Sequence, residues 1–156
     1  MTHIWNQLRR FAIMIVAVVA ASVSIVAPAR ADTWGGWYFL RNSHTANCLA
    51  TDYSAAVYTF PGCNVGQRWR FQYLDAYPGW AVIWNQVTSR CLMASSHPQV
   101  VSSGACDGSR AEFRWHWYYS NLQNAKTNTF LQNTGATTVV LGSYHSTRGV
   151  WIQVGG

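Results

Sequence analysis

The sequence predicts an all-β domain built from three copies of one structural unit, and two observations lead to this prediction. The pattern N-x-x-T-x-x-C/F-L begins at Asn42, Asn85 and Asn124, and a repeat of about 40 residues indicates a repeated structural unit. Short stretches rich in aromatic and β-branched residues alternate with polar turns, and no window of about ten residues keeps a helical period. Many short strands at close spacing favour a sandwich or a barrel.

Each copy is expected to supply four short strands. An aromatic strand precedes each asparagine, a second strand begins at the Cys-Leu marker, a third follows a polar turn, and a fourth closes the copy. The predicted strands span residues 37–40, 48–50, 57–60, 67–73, 80–84, 91–94, 100–101 and 115–119, with the same order expected in copy three. Three copies arranged around an axis share a core, and closure into a barrel removes exposed sheet edges. We therefore predict a twelve-stranded β-trefoil with pseudo-threefold symmetry.

A closing aromatic residue is expected to fill the shared core. Trp69 and Trp151 lie at the same distance after the markers of copies one and three, and alignment of copy two gives Phe113. The recurring asparagine and threonine residues are typical of turns held by bonds from side chain to backbone.

The cysteines predict two disulfides. The chain has four cysteines, and the repeat selects the pairs Cys48–Cys63 and Cys91–Cys106 because these are equivalent and equally spaced. Each bond closes a loop of about 15 residues, which stabilises a fold by roughly 3 kcal/mol. A zinc site is the alternative, but the sequence lacks Cys-x-x-Cys and its export favours oxidation.

The first 31 residues are expected to be a secretory signal peptide. Arg9 and Arg10 precede an apolar run at residues 11–26, and Ala29-Arg30-Ala31 is a small-x-small cleavage signature. The run is shorter than the roughly 18–20 residues of a membrane-spanning helix. Residues 32–156 are then one secreted, extracellular domain without a membrane span.

Charge and aromatic content separate the classes of partner. The formal net charge is +6, but three of the arginines lie in the leader and the others are scattered, which argues against specific nucleic-acid binding. The chain has nine Trp, eight Tyr and six Phe, more than one small core holds. Some of these rings are therefore expected to face a ligand.

The first copy resembles the repeat of ricin B-type lectins. The resemblance rests on Cys48-Leu49, on the string from Val57 to Pro61, and on the segment from Cys63 to Trp69 with its Gln-x-Trp ending. Within that family, the Asn-x-x-Thr openings are most similar to small actinomycete lectins of the actinohivin type. The resemblance implies a β-trefoil that binds carbohydrate or glycoconjugates without a metal, a cofactor or catalysis.

The resemblance implies one shallow sugar pocket per copy, yet this sequence departs from that pattern. The family's sugar-binding aspartate is replaced by Ala50, Met93 and Gln132, and the stacking Tyr58 becomes valine in the other two copies. At most copy one is then expected to keep a usable pocket. Its predicted ligand-binding residues are Asp52, Tyr53, Tyr58, Phe60, Asn64 and Gln67.

Enzyme function is not expected. The sequence has no Gly-x-Ser-x-Gly motif and no metal-binding histidine spacing, and its few carboxylates fall in different copies without a matching pattern. Two alternatives to sugar binding stay open. One is a trefoil that binds a protein, as an inhibitor or as the recognition subunit of a toxin, and the other is non-specific adhesion to acidic polymers.

Overall fold

The computed structural model describes residues 31–135, 137–144 and 146–155. The predicted signal peptide falls almost entirely on residues 1–30, outside the described residues. Among the residues that are described, no helix has the length and apolar character needed to cross a membrane.

The described residues form thirteen β-strands and three short 3₁₀ turns. The strands are β1 (Thr33–Trp34), β2 (Tyr38–Asn42), β3 (Cys48–Thr51), β4 (Val57–Phe60), β5 (Arg68–Tyr73), β6 (Ala81–Asn85), β7 (Cys91–Ser96), β8 (Gln99–Ser103), β9 (Trp115–Tyr118), β10 (Asn121–Asn124), β11 (Phe130–Asn133), β12 (Val139–Gly142) and β13 (Trp151–Gly155). Each copy supplies four of them, from β2 to β13, as predicted. The additional strand, β1, precedes the first copy and pairs with β5.

Six strands of the described chain close into a barrel. Antiparallel pairing joins β13 to β2, β2 to β5, β5 to β6, β6 to β9 and β9 to β10. A bridge between Asn121 and Val150 completes the ring between β10 and β13. The predicted all-β fold is confirmed: the chain is a β-trefoil.

Three hairpins cap one end of the barrel. They are formed by β3–β4, β7–β8 and β11–β12. Ala56 bridges Val101, Tyr58 bridges Thr138, and the N–H of Leu141 donates to the carbonyl of Pro98 at 2.8 Å. Each hairpin therefore contacts both of the others, which is the threefold arrangement that the repeat predicts.

Three buried tryptophans mark the equivalent positions in the core. The indole N–H groups of Trp69, Trp115 and Trp151 donate to carbonyls of the second strand of each copy, at 2.9, 3.0 and 3.0 Å. The alignment of Phe113 with this position was wrong, because the loop after Cys106 is longer and delays the tryptophan. Phe113 instead ends the 3₁₀ turn Ala111–Phe113 that precedes Trp115.

The recurring asparagines connect consecutive copies. The Oδ1 atom of Asn85 accepts the N–H groups of Val87 and Thr88 at 3.1 and 3.0 Å. Its Nδ2 atom donates to the carbonyls of Gly66 and Arg68 in the preceding copy at 3.1 and 3.3 Å. Asn42 and Asn124 repeat both halves of this arrangement.

Both predicted disulfides are present. Cys48 is bonded to Cys63, and Cys91 is bonded to Cys106. Each bond ties the second strand of its copy to the loop before the 3₁₀ turn, so the two bonds hold equivalent positions.

Candidate functional site

A cleft of about 320 Å³ lies on the outer face of the β3–β4 hairpin in the first copy. All six side chains that the sequence predicts as ligand-binding line it, together with residues from the neighbouring turn. The lining residues are Ala50, Thr51, Asp52, Tyr53, Tyr58, Phe60, Asn64, Gly66, Gln67, Val87 and Thr88. The structure thus brings the predicted set together, and its role in binding stays a prediction.

Strand alternation decides which hairpin residues face the cleft. Leu49 and Thr59 are paired and fully buried on the core side, so their neighbours point outward because successive side chains alternate in a strand. Ala50 lies directly opposite Tyr58 and is only 4% exposed. Its methyl group therefore forms the floor of the cleft, beside the tyrosine ring.

Gln67 builds one wall of the cleft. It ends the 3₁₀ turn Val65–Gln67, where its Oε1 atom accepts the N–H of Asn64 at 2.9 Å. Its Nε2 atom donates to the carbonyls of Cys48 and Phe60 at 3.2 and 3.3 Å. These bonds use both Nε2 hydrogens and one acceptor site of Oε1, so Gln67 holds the wall in place, and its predicted contact with a ligand stays a prediction.

Asn64 begins the same 3₁₀ turn. Its Oδ1 atom accepts the N–H of Gly66 at 3.2 Å, which completes a reciprocal cap with Gln67. Its Nδ2 atom has no hydrogen bond within the described ranges, so it is available as a donor at the rim.

Asp52 supplies a carboxylate at the other end of the cleft. Its Oδ1 atom accepts the hydroxyl and the N–H of Ser54 at 2.6 and 2.9 Å and the N–H of Ala56 at 3.3 Å. The Ser54 hydroxyl lowers the pKa of the Asp52 carboxyl below its ordinary value of 3.8, and the two N–H groups add to this effect. The other oxygen, Oδ2, has no hydrogen bond within the described part of the chain and remains free to accept one.

Two exposed aromatic rings flank the opening. Tyr53 is 73% exposed and Phe60 is 51% exposed. The Tyr53 hydroxyl donates to the carbonyl of Val87 at 3.2 Å, so the ring is anchored across the boundary with the second copy. Sequence reasoning missed Val87 and Thr88, since the repeat alone does not say which neighbouring turn lies beside the cleft.

The equivalent place in the second copy is filled by apolar side chains. Met93 faces Val101 there, as Ala50 faces Tyr58 in copy one. Phe113 replaces Gln67 at the end of the 3₁₀ turn and is fully buried. It packs in a cluster with Leu74, Val82 and Cys91, against the partly buried Tyr77, Trp84, Met93 and Cys106.

In the third copy a glutamine occupies the same place. Gln132 is opposite Val140 and donates from Nε2 to the carbonyl of Tyr144 at 2.7 Å. A Cβ atom added to Gly142 would clash with the Gln132 side chain, so the missing side chain at Gly142 makes room for this glutamine. The side chain thus lies over the outer face of the β11–β12 hairpin.

The described lining of the cleft contains few groups that could act as an acid, a base or a metal ligand. Asp52 is the one carboxylate among its described lining residues. Within the described ranges, no three His, Cys, Asp or Glu side chains are grouped as metal ligands would be.

Comparison with solved structures identifies the fold. The backbone is similar to that of SeviL bound to asialo-GM1 saccharide, with a TM-score of 0.64, 19% identity, and coverage of 76% of this chain and 95% of that chain. It is also similar to the designed threefold symmetric protein ThreeFoil, with a TM-score of 0.64, 18% identity, and coverage of 78% and 99%. At this level of identity the likeness shows the β-trefoil fold alone.

A third similar structure is a much longer enzyme. It is a GlcNAcα1-4Gal-releasing endo-β-galactosidase from Clostridium perfringens, with a TM-score of 0.66 and 15% identity. The match covers 77% of this chain and 32% of the enzyme. The sequence matches no protein-family model and no curated protein.

Proposed function

We propose that this protein is a secreted, non-catalytic carbohydrate-binding protein of the ricin B type, similar to actinohivin-like lectins, with one sugar site in its first copy. The observation that carries the proposal is the convergence of the six predicted residues on one cleft. The corresponding places of the other two copies are occupied by Phe113 and Gln132.

The chemistry of the cleft suits a pyranose. Sugar sites combine an apolar surface, on which the ring stacks, with a few placed polar groups that take its hydroxyls. The rings of Tyr53, Tyr58 and Phe60 offer the apolar surface. The free Oδ2 of Asp52 and Nδ2 of Asn64 offer one acceptor and one donor at the rim.

The structural neighbours support the same class of ligand. SeviL is bound to a saccharide, and the endo-β-galactosidase releases GlcNAcα1-4Gal. The departures from the lectin pattern, Ala50 above all, limit this chain to a site in which Asp52 supplies the carboxylate from a different place.

The carboxylates and the disulfides support the absence of catalysis and the export of the protein. Hydrolysis of a glycosidic bond ordinarily needs two carboxyl groups about 5–10 Å apart, whereas Asp52 alone lies among the described lining residues. Two disulfides are typical of an oxidising compartment, which supports export by the signal peptide that the sequence predicts.

The proposal is tested with a dense glycan array probed by the oxidised protein at low and moderate salt. A single shallow site binds with a Kd near the millimolar range, about −4 kcal/mol, so dense display is needed for detection. We expect selective binding that resists salt and is lost in Tyr53→Ala. Tyr119→Ala is the matched control, because Tyr119 is 81% exposed and lies outside the cleft.

A different result would reject the proposal. An array without selective signals, from protein shown to be folded and disulfide-bonded, would exclude a sugar site of this kind. Binding that disappears as salt rises would indicate adhesion to acidic polymers through net charge.

One observation favours a protein partner as the second candidate function. On the outer face of the barrel, the Arg70 guanidinium carbon lies 3.8 Å from the ring centre of Trp34 and 4.7 Å from that of Trp37. Trp34 is 45% exposed and lies 5.7 Å from Trp84. Tryptophan and arginine are enriched at the centres of protein interfaces. This candidate would be supported if Trp34→Ala lost binding of the protein partner and Tyr53→Ala kept it.

A further inference from the structure

Among the described residues, those that form the floor of the first-copy cleft around Ala50 offer no free polar atom that a sugar hydroxyl could use. Ala50 contributes a methyl group and is 4% exposed. The carbonyls of Cys48 and Phe60 both accept from Gln67. A hydroxyl pressed against this floor would lose its bonds to water and find no replacement, which is unfavourable.

The remaining floor and wall groups are also committed. The Thr51 hydroxyl donates to the carbonyl of Ala56 at 2.7 Å and contacts the Ser102 hydroxyl at 2.6 Å. The Thr88 hydroxyl donates to Asn85 at 3.0 Å. Among the described lining residues, the free side-chain polar atoms are therefore Oδ2 of Asp52, Nδ2 of Asn64 and the hydroxyl at the tip of Tyr58, whereas the Ala50 methyl group and the ring of Tyr58 form the apolar centre.

We propose that the cleft selects sugars that carry a methyl group, which enters the floor beside Ala50 and Tyr58. This inference rests on the proposed function and names the class of its ligand. The methyl group is that of an acetamido substituent or of a 6-deoxy sugar. In either case the ring hydroxyls stay at the rim, within reach of the free acceptor and donor, while the methyl group fills apolar space.

The test compares sugars that differ at one substituent. N-acetylglucosamine is compared with glucose, N-acetylgalactosamine with galactose, and L-fucose with L-galactose, each by NMR titration of the folded protein. We expect the methyl-bearing member of at least one pair to bind about tenfold tighter, the size of discrimination that one such group supports in an apolar pocket. The pair that shows the difference tells which source of the methyl group the cleft accepts.

Two variants connect the preference to the floor. Ala50→Ser adds one hydroxyl at the floor and is expected to reduce the tenfold ratio to about one- to threefold. Met93→Ala changes the equivalent residue of the second copy, where Phe113 fills the space, and should leave the ratio unchanged. The wild-type titrations stand without either variant, so a folding defect in Ala50→Ser would not remove the test.

The outcomes separate this inference from the proposed function. Equal binding of both members of every pair would overturn the methyl preference and leave a carbohydrate-binding protein. An unchanged ratio in a folded Ala50→Ser would also overturn it, since the selecting surface would lie elsewhere. No binding of any sugar, on the array or in solution, would overturn both.

Discussion

At the scale of single residues, some polar atoms of the cleft are hydrogen-bonded within the protein and hold its shape, whereas others have no partner among the described residues and can bind a ligand. Gln67 uses both of its N–H donors and one acceptor site to hold the wall, in addition to the ligand-binding role that the sequence predicts. Asp52 keeps one oxygen free while its turn satisfies the other. The residue types were predictable from the sequence. Their division of roles was not, because it depends on which backbone groups lie within hydrogen-bond distance.

The hydroxyl of Ser54 is expected to determine how far the pKa of the Asp52 carboxyl is lowered. Because the Ser54 hydroxyl lowers the pKa of Asp52 below 3.8, the carboxylate stays ionised in the folded protein as the pH falls through that value. Any stability that this ionisation contributes is present above the unfolded pKa and is lost as the pH falls through the lower folded pKa. In Ser54→Ala we expect the pKa to rise toward 3.8.

An NMR titration of the Asp52 side-chain carboxyl carbon measures this change directly. Ser109→Ala is the matched control, because Ser109 makes the same bonds to Asp107 outside the cleft. It should leave Asp52 unchanged. An Asp52 pKa that is the same with and without the Ser54 hydroxyl would contradict this account of the turn.

At the scale of elements, the asparagine turns join the copies through backbone carbonyls. Replacement of Asn85 by alanine removes three acceptor contacts and two donor contacts at a buried position. We expect Asn85→Ala to lower the free energy of unfolding by at least about 2 kcal/mol, since buried partners are left unpaired. Urea denaturation measures the loss.

Thr88→Val is the comparison for that experiment. It removes the Thr88 hydroxyl, which donates to Asn85 at 3.0 Å and accepts the N–H of Arg90 at 3.4 Å, and it keeps the volume nearly constant, so a smaller loss of about 1 kcal/mol is expected. Equal losses in the two variants would show that the bonds between copies contribute little.

The two disulfides are equivalent in sequence but unequal in their relation to the cleft. Cys63 directly precedes Asn64 and the 3₁₀ turn that forms the wall. We expect removal of Cys48 and Cys63 together, as alanines, to lower stability by about 3 kcal/mol and also to abolish sugar binding.

The Cys91 and Cys106 double variant is the matched control for the first disulfide. It should lower stability by a similar amount, about 3 kcal/mol, and leave binding intact in the folded fraction. Differential denaturation and the glycan array measure the two effects. If a folded sample without the first disulfide still binds sugar, the disulfide is not needed to position the 3₁₀ turn that forms the wall of the cleft.

At the scale of the whole molecule, the repeat made the fold predictable. Its asparagine turns, cysteine pairs and closing tryptophans each occupy equivalent places around the barrel. The architecture therefore follows from the threefold repetition of one four-stranded unit. The alignment failed at Phe113, where a longer loop places one aromatic ahead of another, and sequence spacing cannot tell which of the two enters the cluster that contains Trp69 and Trp151. Strand β1 lies outside the repeat and so was not predicted.

The sequence predicts only part of the difference between the first copy and the other two copies. The replacement of the first-copy residues by Met93 and Gln132 predicts that pockets are lost. The way in which Phe113 and Gln132 occupy the space appears only from packing. Among the three hairpins of the described residues, the first thus keeps an open cleft on its outer face, and we propose that this cleft alone binds sugar.

The most direct test of that claim is an NMR titration of the isotope-labelled protein with the monosaccharide best bound on the array. We expect saturation by one equivalent, with a Kd near the millimolar range and amide shifts confined to residues 50–67 and 87–88. Shifts that recur in all three copies, or that centre on Trp34 and Trp84, would contradict that claim.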